Sequence, residues 1–257
     1  MRHFLKYSPY QILLMLLVFV STNVLGQSKR RIVHNNFENI EIHFDNRLNG
    51  QHIILRDSTY VNSFGETYSI SKLRYYISNI HLNSSLRSAA DTKSYLVDEA
   101  NAASKMIKLR VKKGGYKTIS FLLGVDSLHN VSGAQSGALD PLNDMFWTWN
   151  TGYVMAKFEG ISSASALHNQ IFEYHIGGFT GINNVLHKIT LNIADNVILH
   201  SVESPKVINI SAEINNWWHG ARDIKISVIP SVTSPGVLAK QISDNYSKMF
   251  TIENIGH

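Results

Sequence analysis

The chain has 257 residues, a formal net charge of +5 and charged residues at only 17% of its length. It contains no run of Lys or Arg, which argues against binding to nucleic acid. It also contains no Cys, so disulfides and thiolate metal sites are excluded. Any soft-metal site must therefore use His or Met, and the chain has 12 His and 6 Met.

The N-terminus has the residue order of a secretory signal peptide. Arg2 and Lys6 precede an apolar run over 12–20, and small and polar residues follow that run. The alternative is an uncleaved membrane anchor, but a spanning helix needs roughly 20 apolar residues, about twice the length of this run. The sequence therefore predicts a signal peptide over residues 1–26 and an exported domain over residues 27–257, with no membrane span after cleavage.

The dominant hydrophobic period in the predicted domain is two, which is typical of β-strands. The clearest alternating segments are Ile40–Phe44, Ile107–Val111, Lys117–Val125, Val154–Phe158, Ile189–Ile193, Ile208–Ile214 and Ile224–Val228. The stretch over 68–82 also reads as a strand, but its apolar phase changes near Asn79, which predicts a β-bulge there.

One segment near the C-terminus has the helical period instead. Leu238, Ile242, Tyr246 and Met249 fall on one helical face, after a Ser-Pro-Gly start signal. The sequence contains no internal repeat and no linker that would divide it. It predicts one all-β domain, an antiparallel β-sandwich-like fold with long loops and a short C-terminal helix.

Two segments carry residues that could bind a ligand or a metal. Met145, Trp147 and Trp149 lie on one side of an extended chain just before a loop, and the alternative is that they belong to the core. His175 directly precedes Ile176 and a pair of glycines, which allow close approach of a ligand or another backbone. The alternative for His175 is a solvent-facing or hydrogen-bonded side chain.

A third candidate lies on the first predicted strand. His43 shares its face with Glu41 and Asp45, opposite the apolar face of that strand. This polar face is either a binding site or a solvated surface. His129, in the loop after Asp126, is a further candidate because it is close in sequence to the two tryptophans.

The usual catalytic motifs are missing from the sequence. It contains no Gly-x-Ser-x-Gly elbow, no Cys nucleophile, no His-Glu-x-x-His helix and no phosphate-binding glycine loop. It also has no Cys-x-x-Cys-His and therefore no c-type haem attachment of its own. The sequence predicts a binding protein and not an enzyme.

Several segments together resemble the MbnP-like family of periplasmic copper-binding proteins. They are spread in order over nearly the whole predicted domain, and Trp147-x-Trp149-x-x-Gly152-Tyr153 is among the most specific. The segments that carry the resemblance are Leu73–Ile80, Leu122–Ser127, Met145–Tyr153 and Phe172–Gly178, and the wording of Asn130–Gln135 and Ala138–Pro141 resembles Bacteroidetes-type members.

The resemblance implies a periplasmic protein that binds copper. In relatives, a Trp oxidised to kynurenine contributes to the copper site together with His, and the oxidation is attributed to a partner di-haem cytochrome c peroxidase-like protein. By position, the resemblance assigns metal roles to Trp147, Trp149 and His175, with Met145 as a second-tier candidate. We add His43, on the expectation that the first strand runs beside these elements.

Two other functions are compatible with the sequence. One overlaps with the first: a structural or redox partner of a di-haem peroxidase, in which the Trp serves only as an oxidisable site. The other needs no metal. An exported carbohydrate- or ligand-binding β-sandwich with no metal predicts exposed aromatic faces, with Trp217 and Trp218 as candidates, and no converging His.

Overall fold

The computed structural model describes residues 36–84, 88–148, 151–193, 198–199 and 205–256. The predicted signal peptide lies outside these residues and stays a prediction. Within the part of the chain that is described, no helix is both long enough and apolar enough to cross a membrane.

Strands are the main elements of the fold. In chain order they are β1 (Phe37–Leu48), β2 (Gln51–His52), β3 (Tyr60–Val61), β4 (Thr67–Asn83), β5 (Ser88–Asp98), β6 (Met106–Lys112), β7 (Gly114–Gly115), β8 (Thr118–Leu123), β9 (Phe146–Thr148), β10 (Gly152–Ser162), β11 (Ile171–Gly177), β12 (His187–Asn192), β13 (Ile198–Leu199), β14 (Lys206–Glu213), β15 (Ser231–Val232) and β16 (Phe250–Gly256). The α-helices in the described residues are α1 (Ser127–Val131) and α2 (Val237–Tyr246). Short 3₁₀ turns lie at Ala102–Lys105, Gly137–Leu139, Pro141–Asn143, His168–Gln170, Gly181–Asn183 and Ile214–Trp217.

The smaller sheet has five strands with β1 at its centre. Its order is β16-β14-β1-β2, and β6 also pairs with β1. The β1–β14 pair is parallel, whereas the β1–β6 and β14–β16 pairs are antiparallel. Ile40, Ile42 and Phe44 of β1 are buried and the residues between them are only partly buried, so the alternation read from the sequence selects the inner face.

The larger sheet has nine strands, six of which form the path β12-β8-β4-β10-β11-β15. In addition, β3 and β5 pair with β4, and β9 pairs with β10, while β7 and β13 form a separate two-stranded ladder. The pairs of β4, β8, β10, β11 and β12 are antiparallel, and the short β11–β15 pair is parallel. This sheet positions the candidate site.

The inner faces of the two sheets meet in one aromatic core. The Phe44 ring of the smaller sheet makes edge contacts with Tyr75 and Phe121 of the larger sheet, at centroid distances of 6.4 Å and 5.7 Å. Near the C-terminus, α2 buries Ile242 and Tyr246. The prediction of an all-β, sandwich-like domain with a short C-terminal helix is confirmed. The strand pairs are antiparallel except for β1–β14 and β11–β15, which are parallel.

Two local predictions have opposite outcomes. The bulge near Asn79 is confirmed, because Asn79 has a positive φ of 50° and the register of β4 shifts between Ser78 and Ile80. The strand predicted at Ile224–Val228 is wrong. The Glu66 carboxylate accepts the backbone N–H groups of Ile226 and Ser227 at 2.7 Å and 2.9 Å, so these donors bond a side chain instead of a neighbouring strand.

Candidate functional site

The outer face of the larger sheet carries charged residues in register across β4, β10 and β11. Arg74, Lys157 and His175 are aligned in one row of paired residues. Lys72, Glu159 and Glu173 form the next row, two residues away from the first row on each strand. Since residues two apart on a strand share a face, all six side chains lie on the side of the sheet that faces away from the core.

Five of the residues at this face form what we call the charged cluster: Lys72, Asp144, Lys157, Glu159 and His175. Lys72 Nζ lies 2.9 Å from Asp144 Oδ2 and 3.3 Å from Glu159 Oε2. Lys157 Nζ lies 2.9 Å from Asp144 Oδ2 and 4.0 Å from Glu159 Oε1, and it also donates to the Asp144 carbonyl. Two ammonium groups and two carboxylates thus balance each other, with the imidazole at the edge.

The imidazole of His175 is oriented by a carboxylate. Its Nε2 donates to Glu159 Oε1 over 2.8 Å, and the side chain is only 17% exposed. The other ring nitrogen, Nδ1, has no protein hydrogen-bond partner among the described residues. A carboxylate that holds one ring nitrogen while the other is free is the usual arrangement behind a metal-binding His.

The electrostatics of the cluster keep both carboxylates ionised. Burial raises the pKa of Glu159, but the hydrogen bond from His175 and the charge of Lys72 outweigh it, and the pKa lies below its ordinary value. Burial likewise opposes ionisation of Asp144, yet hydrogen bonds from Lys157 and Lys72 lower its pKa to about 2. At neutral pH Glu159 is therefore an acceptor for His175.

Trp147 lies over β11 next to His175. A Cβ atom added at Gly177 would lie 2.5 Å from Trp147 Cζ3 and 2.9 Å from Cη2, so the indole occupies the space that a side chain at this position would need. Gly177 follows His175 by two residues on the same strand and hence on the same face, roughly 6.6 Å away along the strand. The Trp147 ring and His175 therefore lie on the same face of β11, at positions two residues apart.

Strands β9 and β10 pair in antiparallel register, and we call them the Trp147 hairpin. The chain between β8 and β9 covers this part of the outer face and holds the Trp147 hairpin in place. Tyr153 donates to the Leu139 carbonyl at 2.7 Å, and the Phe146 ring contacts the Tyr153 ring at 4.8 Å. The buried Asn130 side chain accepts the Tyr153 backbone N–H at 3.0 Å. Gly152 has a φ of 73°, and a Cβ there would lie 2.4 Å from Asn130 Oδ1, so both the turn and the contact require glycine.

His43 lies on the other side of the sandwich. Phe44 points into the core and His43 points outwards from the smaller sheet, where its Nε2 lies 2.9 Å from Glu41 Oε2. The first strand does not run beside β11, so His43 and His175 face away from each other on opposite outer surfaces. They cannot bind one metal ion together. Trp149 lies outside the described residues.

The structure also shows residues that the sequence interpretation missed. Glu159, Lys157 and Asn130 orient or support the pair of His175 and Trp147. The signal for Lys157 was present in the sequence, since Lys157 interrupts the apolar part of this strand between Val154 and Phe158. Nothing in the sequence alone indicated which carboxylate would contact His175.

A model of the MbnP family matches residues 37–234 of the chain. The chain belongs to the MbnP family. Among solved structures, MbnP from Methylosinus trichosporium is similar, with a TM-score of 0.57 and 11% sequence identity over 86% of this chain and 98% of that chain. At this identity the likeness shows a shared fold. No curated protein matches the sequence. Membership of the MbnP family supports a copper-related periplasmic protein at the level of the family.

The side chains that the structure describes in this MbnP-family chain offer an incomplete set of copper ligands. Among the described residues, no three His, Cys, Asp or Glu side chains converge in a way that could hold a metal ion. An unmodified Trp contributes only an indole N–H donor, which is no ligand. The charged cluster therefore offers one free imidazole nitrogen, and further donors at this place would have to come from residues such as a modified Trp147.

The exposed aromatic faces that the metal-free alternative predicts are not found at Trp217 and Trp218. Trp217 and Trp218 are 1% and 0% exposed, so neither presents a face to a ligand. The Trp218 indole donates to the Tyr68 hydroxyl at 3.1 Å, and Trp217 packs on Tyr246 at a centroid distance of 4.4 Å. Both tryptophans belong to the core.

Proposed function

We propose that this protein binds copper in the periplasm, at a site built around His175 and Trp147 on the outer face of the larger sheet. The observation that carries the proposal is the position of the Trp147 indole on Gly177, next to His175 on the same face of β11. Family membership supports the copper-related role. The protein acts as a binder and not as an enzyme, in keeping with the missing catalytic motifs.

The chemistry explains why the encoded ligand set is incomplete. Oxidation of a Trp to kynurenine places oxygen on both carbons of the indole C2–C3 bond, which breaks as the electrons pass to the peroxide consumed by a peroxidase-like partner. Hydrolysis then releases the C2 carbon as formate, and an aniline nitrogen and a carbonyl remain. These groups can act as ligands beside an imidazole, which suits copper without any thiolate. We propose that a partner di-haem peroxidase-like protein supplies the oxidation. Trp147 is our first candidate for this oxidation, and a role for Trp149 stays a prediction. The Bacteroidetes-type origin also stays a prediction.

The test uses protein purified from its native host. Peptide mass mapping across Met145–Tyr153 identifies any oxidised Trp, and copper is measured on the same sample. We expect kynurenine at Trp147 in copper-loaded protein, and the loss of one copper ion per chain in a His175→Ala variant relative to wild type. The matched control is His187→Ala, because His187 is also a partly buried strand residue beside a carboxylate, 3.4 Å from Asp244.

The outcomes separate the parts of the proposal. Copper bound with both tryptophans intact would retain the metal role and remove the kynurenine chemistry. No copper after reconstitution, or equal copper loss in both His variants, would refute a site at His175.

A further inference from the structure

The outer face of the smaller sheet places an imidazole and a thioether on directly opposed residues. His43 of β1 pairs with Met106 of β6 in the antiparallel register. Both side chains point away from the core, since the adjacent Ile42 and Ile107 are buried. Opposed residues in an antiparallel pair have Cβ atoms roughly 4.5–5.5 Å apart, so one ion can reach both side chains.

Met106 is unusual both among the methionines and on its own strand. It is 37% exposed, whereas the other methionines of the described residues are at most 1% exposed: Met145, Met155 and Met249. The remaining outward positions of β6 are all basic: Lys108, Arg110 and Lys112. The one outward thioether of this strand thus stands opposite the one His of β1, where it adds nothing to the core.

The imidazole of His43 is already oriented for binding. Glu41 Oε2 lies 2.9 Å from His43 Nε2, and Lys108 pairs with the other oxygen of the same carboxylate at 3.2 Å. His43 Nδ1 has no protein hydrogen-bond partner in the described part of the chain and is free to bind a metal.

We propose that His43 Nδ1 and Met106 Sδ form a second metal site for a soft monovalent ion, Cu(I), with Glu41 as the residue that positions the imidazole. Imidazole and thioether are ligands that suit Cu(I). The choice of copper rests on the proposed function, but the site shares no residue with the one at His175. The two can therefore fail separately.

The test follows the methionine methyl groups by NMR in protein labelled with [¹³C-methyl]methionine. Ag(I) serves as a probe for Cu(I) that does not change oxidation state, and it is titrated into wild-type protein and into the His175→Ala variant. We expect the Met106 methyl resonance to shift in both proteins, while the resonances of the three buried methionines stay unchanged. The shift should disappear in His43→Gln.

Two further variants complete the test. Met106→Leu keeps the volume and removes both the sulfur and the reporter methyl, so Ag(I) binding in this variant is followed by the ring-proton resonances of His43. We expect binding at this site to weaken by roughly tenfold or more, at least as much as the loss of a hydrogen-bond partner of a ligand usually does. His52→Gln is the matched control, because His52 is an exposed His of the same sheet that pairs with Asp45 at 2.6 Å. It should leave the Met106 shift intact. A Met106 resonance that does not move, or that moves equally in His43→Gln, would refute the site and leave the His175 proposal untouched.

Discussion

His175 and His43 lie on the two outer faces of the sandwich, and each is held by a carboxylate, yet they differ in what lies above the imidazole. The His175 side chain is 17% exposed and lies beside the Trp147 hairpin, where the chain between β8 and β9 covers the sheet. The His43 side chain is 38% exposed, and its neighbours are side chains of the adjacent strands. The chain between β8 and β9 therefore makes the difference. It can enclose a modified Trp147 beside the sheet, whereas His43 lies at an open position on its strand.

The largest effect is expected where the cover meets the sheet. In Gly177→Ala the new Cβ would lie 2.5 Å from the Trp147 ring, so the hairpin must move. We expect the free energy of unfolding to fall by about 1–3 kcal/mol, as overpacking usually does. Urea denaturation measures it.

The control for this substitution lies on the other sheet. Gly256 is also a strand glycine, and no atom lies within 4 Å of the position of an added Cβ. Gly256→Ala should change the stability by less than about 0.5 kcal/mol. Equal stabilities of the two variants would show that Trp147 does not rest on β11 as described.

A second prediction concerns the carboxylate behind His175. Glu159→Gln removes the charge that orients the imidazole, and we expect copper affinity to fall roughly 10–100-fold, as for other outer-shell partners of metal-binding His. Glu173→Gln is the control, since Glu173 lies in the same row of the sheet but accepts its hydrogen bond from Ser231 at 3.1 Å. If the two variants bound copper equally well, the orienting role of Glu159 would be excluded.

A third prediction concerns acid. The pKa of Asp144 is lowered from 3.8 to about 2 in the folded protein. Its stabilising effect is therefore fully present above pH 4 and is lost as the pH falls towards 2. Asp144 is 61% exposed, so we expect it to contribute at most about 1 kcal/mol.

The measurement compares wild type with Asp144→Asn by urea denaturation between pH 5 and pH 2. The difference in the free energy of unfolding should shrink over that range, because protonation removes the charge from the wild type as well. A difference that stays constant with pH would show that the ion pairs with Lys72 and Lys157 do not stabilise the fold.

The smallest effect on stability is expected on the open face. Met106→Leu should change the free energy of unfolding by less than about 0.5 kcal/mol, because the side chain is exposed and its volume is kept. Met155→Leu should have a larger effect, since Met155 is buried and its sulfur accepts the Val125 backbone N–H at 3.2 Å. Thermal denaturation of both variants checks this order, and a large loss in Met106→Leu would reveal a structural role for the thioether.

The sequence could predict the elements whose signal is local. The alternation over Ile208–Ile214 and the phase change at Asn79 each depend on a few neighbouring residues, and the structure agrees with both. The pairing of β1 with β14 could not be predicted, because alternation identifies the buried face of a strand but not its partner. The strand prediction for Ile224–Val228 failed for a related reason. The Glu66 carboxylate that accepts its backbone N–H groups lies far away in the sequence, so no local pattern indicates it.

The candidate site divides in the same way. His175 and Trp147 were found as single residues in marked sequence contexts, and the structure places them on one face of β11. The charged cluster was missed because its members come from four separate segments, and only the register of β4, β10 and β11 brings them together. The placement of His43 beside that site depended on a strand order that no local pattern contains.

The parallel pairing of β1 with β14 has a consequence for how the protein acquires its fold. Ile40, near the start of the domain, is paired with Lys206. The other neighbour of β14 in this sheet is β16, the last strand that the structure describes. The smaller sheet therefore cannot be completed until β1, β14 and β16 have come together, and contacts so distant in sequence slow folding. Until then one edge of β1 is unpaired and open to association with other chains. Folding of the smaller sheet is thus a late event that requires the intact C-terminal strands.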